Sequence, residues 1–333
     1  MKQTLLPILV ALSGALIFSA SVAAEPNYKI VDTVKIGGDA KWDYLYVDSA
    51  AHRLYVTHGT QTEVIDTQTD KVVGTIADTQ GVHGVAIASD LGVGFTSNGT
   101  TNTLSVFDLA TLKTTATIAV GSKPDAIVYA PASQKVVVFN GKSNDVSIID
   151  AKTSKVIQTI KVAGKPEFAA VAKNGNVYFN IEDISEIAII DLTANKLLRS
   201  RSLKPCEEPT GLAIDPNQNL YSVCGNNLMV ITDGNGKVVG NAKIGGGVDG
   251  VAFLDGYAFS ANGADGSLTA VESVKGKFQA VATIPTQVGA RTIAADPATH
   301  RLYLPTADFQ QDSGDGKRHG VPDSFRVLVL EKQ

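Results

Sequence analysis

Short apolar runs, each closed by a polar turn, recur along the sequence from residue 28 to its end. Residues 126–163 show one unit clearly. Ala126–Tyr129, Val136–Phe139, Val146–Ile149 and Val156–Val162 are the apolar or alternating runs. Pro131-Ala132-Ser133, Gly141-Lys142-Ser143-Asn144 and the stretch Asp150 to Lys155 separate them. Brief runs rich in Val and Ile, bounded by Gly, Asn, Asp and Ser, predict β-strands joined by tight turns. The unit therefore reads as four strands, a to d.

The unit repeats. Asp66, Asp108, Asp150, Asp191, Asp233 and a degenerate Glu272 each follow an apolar run and precede a lysine, and they stand 42, 42, 41, 42 and 39 residues apart. An Asp opening the c–d turn can accept backbone N–H groups two residues on, so this series is expected to be structural. A second series marks the end of strand b: His58, Asn98, Asn140, Asn180, Cys224, Asn262 and Thr306, spaced by 40, 42, 40, 44, 38 and 44. Seven members mean seven repeats. One four-stranded sheet cannot bury both of its faces, whereas stacking sheets about an axis buries them all. The expected fold is all-β, a seven-bladed β-propeller with four strands per blade. Phe325 to Glu331 aligns with strand c and no strand d follows, while Tyr28 to Gly37 aligns with the strand d segment Ser154 to Ala163. The N-terminal strand is thus expected to complete the last blade and remove an open edge.

Tyr55-Val56-Thr57-His58 differs by one residue from a YVTN signature, and Arg301-Leu302-Tyr303-Leu304-Pro305-Thr306-Ala307-Asp308 precedes a polar loop. With both repeat series, the sequence resembles the YVTN-repeat (YncE-like) seven-bladed propellers over nearly all of residues 25–333. The resemblance implies that strand a lines a central channel and that the d–a and b–c loops open on one face around its mouth. It implies little about activity, because one fold hosts many functions.

Residues 1–24 read as a signal peptide: Lys2, an apolar stretch from Leu5 to Phe18, then Ser21-Val22-Ala23-Ala24 as the cleavage region before Glu25. The apolar run is short for a membrane span. A periplasmic or secreted protein is expected, with residues 25–333 forming one propeller domain and no membrane span in the mature chain. The whole sequence carries 29 basic and 33 acidic residues, so it offers no basic footprint for nucleic acid. Cys206 and Cys224 are the only cysteines. In an oxidising compartment an even count favours a disulfide, two buried thiols being the alternative. Antiparallel strands a and b bring their positions in the fifth blade to the same side.

Two sets of residues are candidates for the mouth. The d–a set contains Trp42, Asp43, His83, Lys123, Asp125, Glu167, Glu207, Glu208, Asp249 and Arg291, varying from blade to blade within a repeated frame. The b–c set contains His58, Asn98, Asn140, Asn180, Asn262 and Asp308. Asn98, Asn140 and Asn262 precede glycines, where a left-handed turn conformation would explain them. Trp42, the single tryptophan, suits either stacking on a ligand or capping the first blade's core. His58, His83 and Asp43 could hold a divalent metal through imidazole and carboxylate donors. His52 and His300 share one a–b turn position and read as structural. The last b–c loop, Phe309 to Ser324, is long and polar, a candidate lid. Its Asp312 and Asp315 lack the twelfth-position Glu of a calcium loop.

No G-x-S-x-G, H-E-x-x-H, phosphate loop or haem-attachment motif is present. The expectation is a non-catalytic binding or scaffold module, acting as a monomer on a small molecule or a periplasmic protein such as an electron carrier or transporter. The alternative is a propeller enzyme. A lactonase-like hydrolase would use Glu167, Asn180 and Asp249 around a divalent cation. A quinone-dependent oxidoreductase would want repeated Trp positions and vicinal cysteines, which are missing. Single-stranded DNA, which one similar protein binds, fits poorly with an acidic chain of 6% aromatic content.

Overall fold

Seven four-stranded antiparallel sheets make up the computed structural model, which describes residues 26–274, 276–310 and 319–333. The signal-peptide reading therefore lies outside the described residues, as does the tip of the last loop. In the third blade, strands a to d are Pro124–Ala130, Lys135–Asn140, Asp145–Asp150 and Lys155–Lys161, hydrogen-bonded in that order. The other blades repeat this plan.

Burial falls off outwards along each sheet. Strand b is buried almost throughout in every blade, as in Arg53–His58 and Tyr257–Asn262, while strand d is mostly exposed, as in Lys155–Lys161. Side chains from the two faces of each sheet pack against the neighbouring sheets, so the core is a series of clusters between blades. One joins Val137, Phe139, Ile148, Val177, Phe179 and Ile190 across the third and fourth blades.

The last blade is built from both ends of the chain, as expected. Tyr28–Lys35 pairs antiparallel with Arg326–Lys332, in the order Tyr28↔Lys332 to Lys35↔Arg326 with a bulge after Ile30. That strand also reaches the sixth blade: Tyr28 packs edge-on against Phe259 at 5.1 Å, and its hydroxyl donates to Asp255 at 3.1 Å.

The Asp series does the turn chemistry assigned to it. Asp66 Oδ1 accepts from the backbone N–H of Gln68 at 3.0 Å and of Thr69 at 2.8 Å, and Asp108, Asp150, Asp191 and Asp233 do the same locally. These N–H donors hold the Asp66, Asp108 and Asp150 carboxyls below the usual carboxylate range. His52 and His300 occupy left-handed turn positions, φ 53° and 57°.

Cys206 and Cys224 form a disulfide with Cα atoms 5.4 Å apart, closing 18 residues of sequence. It ties the loop before the fifth blade to the end of that blade's strand b. Reduction is expected to lower stability by about 3 kcal/mol. Urea unfolding with and without reductant checks this, and coincident curves would contradict it.

Candidate ligand site at the channel mouth

A backbone irregularity repeated around the ring builds the site. In six blades the first residue of strand a pairs with a residue at the end of strand b: Trp42↔His58, Val82↔Asn98, Pro124↔Asn140, Pro166↔Ile181, Pro209↔Cys224 and Val248↔Asn262. The register then slips at once. A bulge leaves the next residue out of the ladder and re-aims its side chain. Those next residues are Asp43, His83, Asp125, Glu167, Thr210 and Asp249, and Thr292 is the counterpart before the last blade's short strand a, Ala294–Asp296.

Neighbouring blades hold these residues in place through their backbones. Ser97 donates to the Asp125 carbonyl at 2.5 Å, Asn180 Nδ2 to the Thr210 carbonyl at 2.9 Å, and Thr292 to the Asp43 carbonyl at 2.8 Å. The b–c loops donate to the d–a loops on the same face: Gly99 N to Gly81 O at 2.8 Å, Gly141 N to Lys123 O at 2.9 Å, and Gly263 N to Gly247 O at 3.0 Å. The two loop sets therefore share one mouth, as the family resemblance implies.

Within the mouth, His83 Nδ1 lies 2.5 Å from Asp43 Oδ2 and 3.4 Å from Asp125 Oδ1. Lys165 Nζ pairs with Glu167 at 2.6 Å and also with Glu182. Arg291 donates to Asp249 at 3.0 Å and to the Trp42 carbonyl at 2.8 Å, with its guanidinium over the Trp42 ring. Tyr44 reaches from the first blade to the fourth, where its hydroxyl donates to Glu167 at 3.2 Å and its ring meets Phe168 edge-on at 4.6 Å. It also lines an apolar cavity of about 240 Å³, together with strand a residues that include Leu45, Val85, Ile127 and Phe168.

The electrostatics follow from burial. Burial pushes the Glu167 carboxyl up to about 8, with the Asp125 charge adding to it and Lys165 opposing. Burial likewise raises Asp125 to about 6, opposed by His83. Asp43 and Asp249 are raised by burial against the pull of His83 and Arg291 respectively. For His83, burial acts downwards, but the Asp43 hydrogen bond and the Asp125 charge outweigh it, and the imidazole is raised. The mouth thus concentrates acids that hold protons more firmly than usual.

Several sequence candidates stand elsewhere. His58 does not join His83 and Asp43, because it closes strand b and turns into the core. Its Nδ1 faces Glu63 at 3.4 Å, its Nε2 meets the Asp39 carbonyl at 2.5 Å, and its ring stacks on Phe325. Asp125 is the third member instead. Trp42 caps the first blade, stacked on Phe325 at 5.4 Å. Glu208 projects from an exposed loop at φ 49°, and Thr210, missed in the sequence, holds the ring position. Asp308 is outside the ring and pairs with Arg326. Asn180 spends its amide on two carbonyls and on Ser222, so Glu167, Asn180 and Asp249 do not form a free oxygen set.

The Asn-Gly pairs have a different cause from the one expected. Asn98, Asn140 and Asn262 are strand residues whose amides donate to Ser105, Ser147 and Thr269 at 2.8–3.0 Å. Their glycines serve close approach: a Cβ on Gly99 would meet His83 Nε2 at 2.7 Å, and one on Gly263 would meet Arg291 Cβ at 2.7 Å. The last loop, Phe309 to Ser324, begins with Phe309–Gln310 paired to His319–Gly320. Phe309 lies against Trp42 at 6.2 Å, while the tip, residues 311–318, is outside the described residues. Among those residues no helix is long and apolar enough to cross a membrane.

No curated protein matches the sequence. Among solved structures, that of U3-55K aligns with TM-score 0.75 at 7% identity, over 91% of this chain and 98% of that one. The crystal structure of RRP9 WD40 repeats aligns with TM-score 0.78 at 8% identity, over 92% and 99%. Kuenenia stuttgartiensis hydrazine synthase aligns with TM-score 0.70 at 14% identity, over 93% and 99%. At such identities these likenesses show the fold alone. Residues 71–227 match the family model of the YNCE-like beta-propeller. The closed ring of seven four-stranded sheets makes this chain a seven-bladed β-propeller, similar over residues 71–227 to the YNCE-like family.

Proposed function

We propose that the chain is an exported binding module that takes a small cation-bearing ligand at the channel mouth. One observation carries this reading: the same bulge in six blades aims a different side chain, four of them carboxylic, around one opening. A repeated frame with a varied, acid-rich rim is what selective recognition of a cation requires. Arg291 pairs with Asp249 and Lys165 with Glu167, so the preference rests on Asp43 and Asp125, whose described ion-pair partner is His83. Export is supported by the leader-like residues 1–24 and by the disulfide, which persists in an oxidising compartment. Cell fractionation should place the mature chain outside the cytoplasm, starting at Glu25.

Thermal unfolding with diamines, divalent cations, sugars and carboxylic acids tests the ligand class. Ligands that bind the folded state raise the melting temperature. A rise is expected with cations and its loss in Asp125→Asn. A rise only with neutral or anionic compounds, equal in wild type and variant, would refute the reading.

A further inference from the structure

We propose that Asp43, His83 and Asp125 form a binding site for one divalent transition-metal ion. The inference rests on the binding reading above and names the ligand of that mouth. His83 Nδ1 and one carboxylate oxygen from each Asp lie within 4.8 Å of one another. An ion bound at about 2.1 Å to each of two donors in tetrahedral geometry separates them by about 3.4 Å. Asp125 Oδ1 already stands 3.4 Å from Nδ1, and Asp43 Oδ2, at 2.5 Å, need only withdraw slightly. The ion would take the place of the hydrogen now held between the imidazole and Asp43.

A second observation points the same way. The Asp125 side chain is only 7% exposed, yet its carboxylate accepts no hydrogen bond from a described residue. Its described ion-pair partner is the His83 imidazole at 3.4 Å, the separation that two donors to one tetrahedral ion would keep. The imidazole is fixed from behind, because its Nε2 edge packs where Gly99 leaves no Cβ. Three blades thus present three preset donors. One nitrogen and two oxygens suit Zn²⁺, Mn²⁺ or Fe²⁺ rather than Ca²⁺ or Mg²⁺, which favour all-oxygen shells.

The test is equilibrium dialysis of the untagged, metal-stripped full chain against Zn²⁺, followed by elemental analysis. One Zn²⁺ per chain is expected, with excess Mg²⁺ or Ca²⁺ failing to displace it. His83→Ala should weaken binding at least about 100-fold, since outer-shell changes alone cost about 10- to 100-fold. Asp125→Asn serves as a second variant, and circular dichroism checks that both are folded. His300→Ala, which disrupts the exposed His300–Asp255 pair, should leave binding unchanged. Absence of stoichiometric Zn²⁺, or binding unchanged in folded His83→Ala and Asp125→Asn, would overturn the site. If Zn²⁺ fails while diamines still raise the melting temperature through Asp125, the metal inference falls and the cation-binding mouth stands.

Discussion

A chain lacking residues 26–36 is expected to lose its cooperative unfolding transition, and a synthetic peptide of that sequence to restore it. The segment supplies the outer strand of the last blade and pairs with Arg326–Lys332 over its length. Its two inward anchors sit on different neighbours. Tyr28 packs with Phe259 of the sixth blade, and Val34 joins Trp42, Phe325 and Val327 between the last and first blades. Burial of such side chains contributes about 1.5–3 kcal/mol each, and the backbone ladder is lost with them. That is a large share of a total stability of about 5–15 kcal/mol. Its removal also bares the edge of strand c, a template for aggregation. Peptide rescue separates closure from general damage, because an added strand restores the same pairing in trans. Calorimetry of the truncated chain with and without peptide checks this. A truncated chain that unfolds cooperatively at the full-length temperature would show that the ring does not depend on its N-terminal strand.

Glu167→Gln is expected to flatten the dependence of stability on pH between about 5 and 8. Glu167 titrates at about 8 in the folded protein and in the ordinary carboxylate range when unfolded. Between those values the folded state holds a proton that the unfolded state releases, so this contribution is full in mild acid and lost as pH rises. Asp125, raised to about 6, and His83, also raised, act in the same direction. The turn acids Asp66, Asp108 and Asp150 are lowered, so their contribution disappears only at more acidic pH, below this window. The groups facing Glu167 are Lys165, Tyr44, Asp125 and Glu182. In the variant the amide oxygen can still accept from Tyr44, and Lys165 retains Glu182. The gain at pH 8 is expected to be on the order of a few kcal/mol, with little change at pH 5. Urea midpoints at the two pH values measure it. Wild type more stable at pH 8 than at pH 5, or an unaltered slope in Glu167→Gln, would contradict the assignment.

Much of the architecture was legible because it is written in local chemistry repeated at a fixed period. The Asp series recurs since each c–d turn needs an acceptor for its own N–H groups, and Asp150 with Thr153 shows the bond directly. The unmatched strand c at residues 326–332 and the unmatched strand d at residues 28–35 announced their pairing by alignment alone. The site was legible only in part. Asp43, His83, Asp125, Glu167 and Asp249 were found because charged residues stand out before strand a. Thr210 was passed over for its more conspicuous neighbour Glu208, although Pro209-Thr210 occupies the same step as Pro124-Asp125 and Pro166-Glu167. That step, the residue after the first of strand a, is the signal that would have found it. His58 misled because an imidazole near His83 and Asp43 in the loop plan suits a metal. Its two nitrogens are in fact directed to Glu63 and Asp39, contacts that only the packed blade reveals.

A crystal structure of the protein, purified without a tag or chelator from its own cells, most directly examines whether the bulges gather one binding site. Non-protein density in contact with Asp43, His83 and Asp125, inside a ring of seven sheets, is the expected outcome. Density for a ligand held elsewhere, with only water against those three side chains, would contradict it.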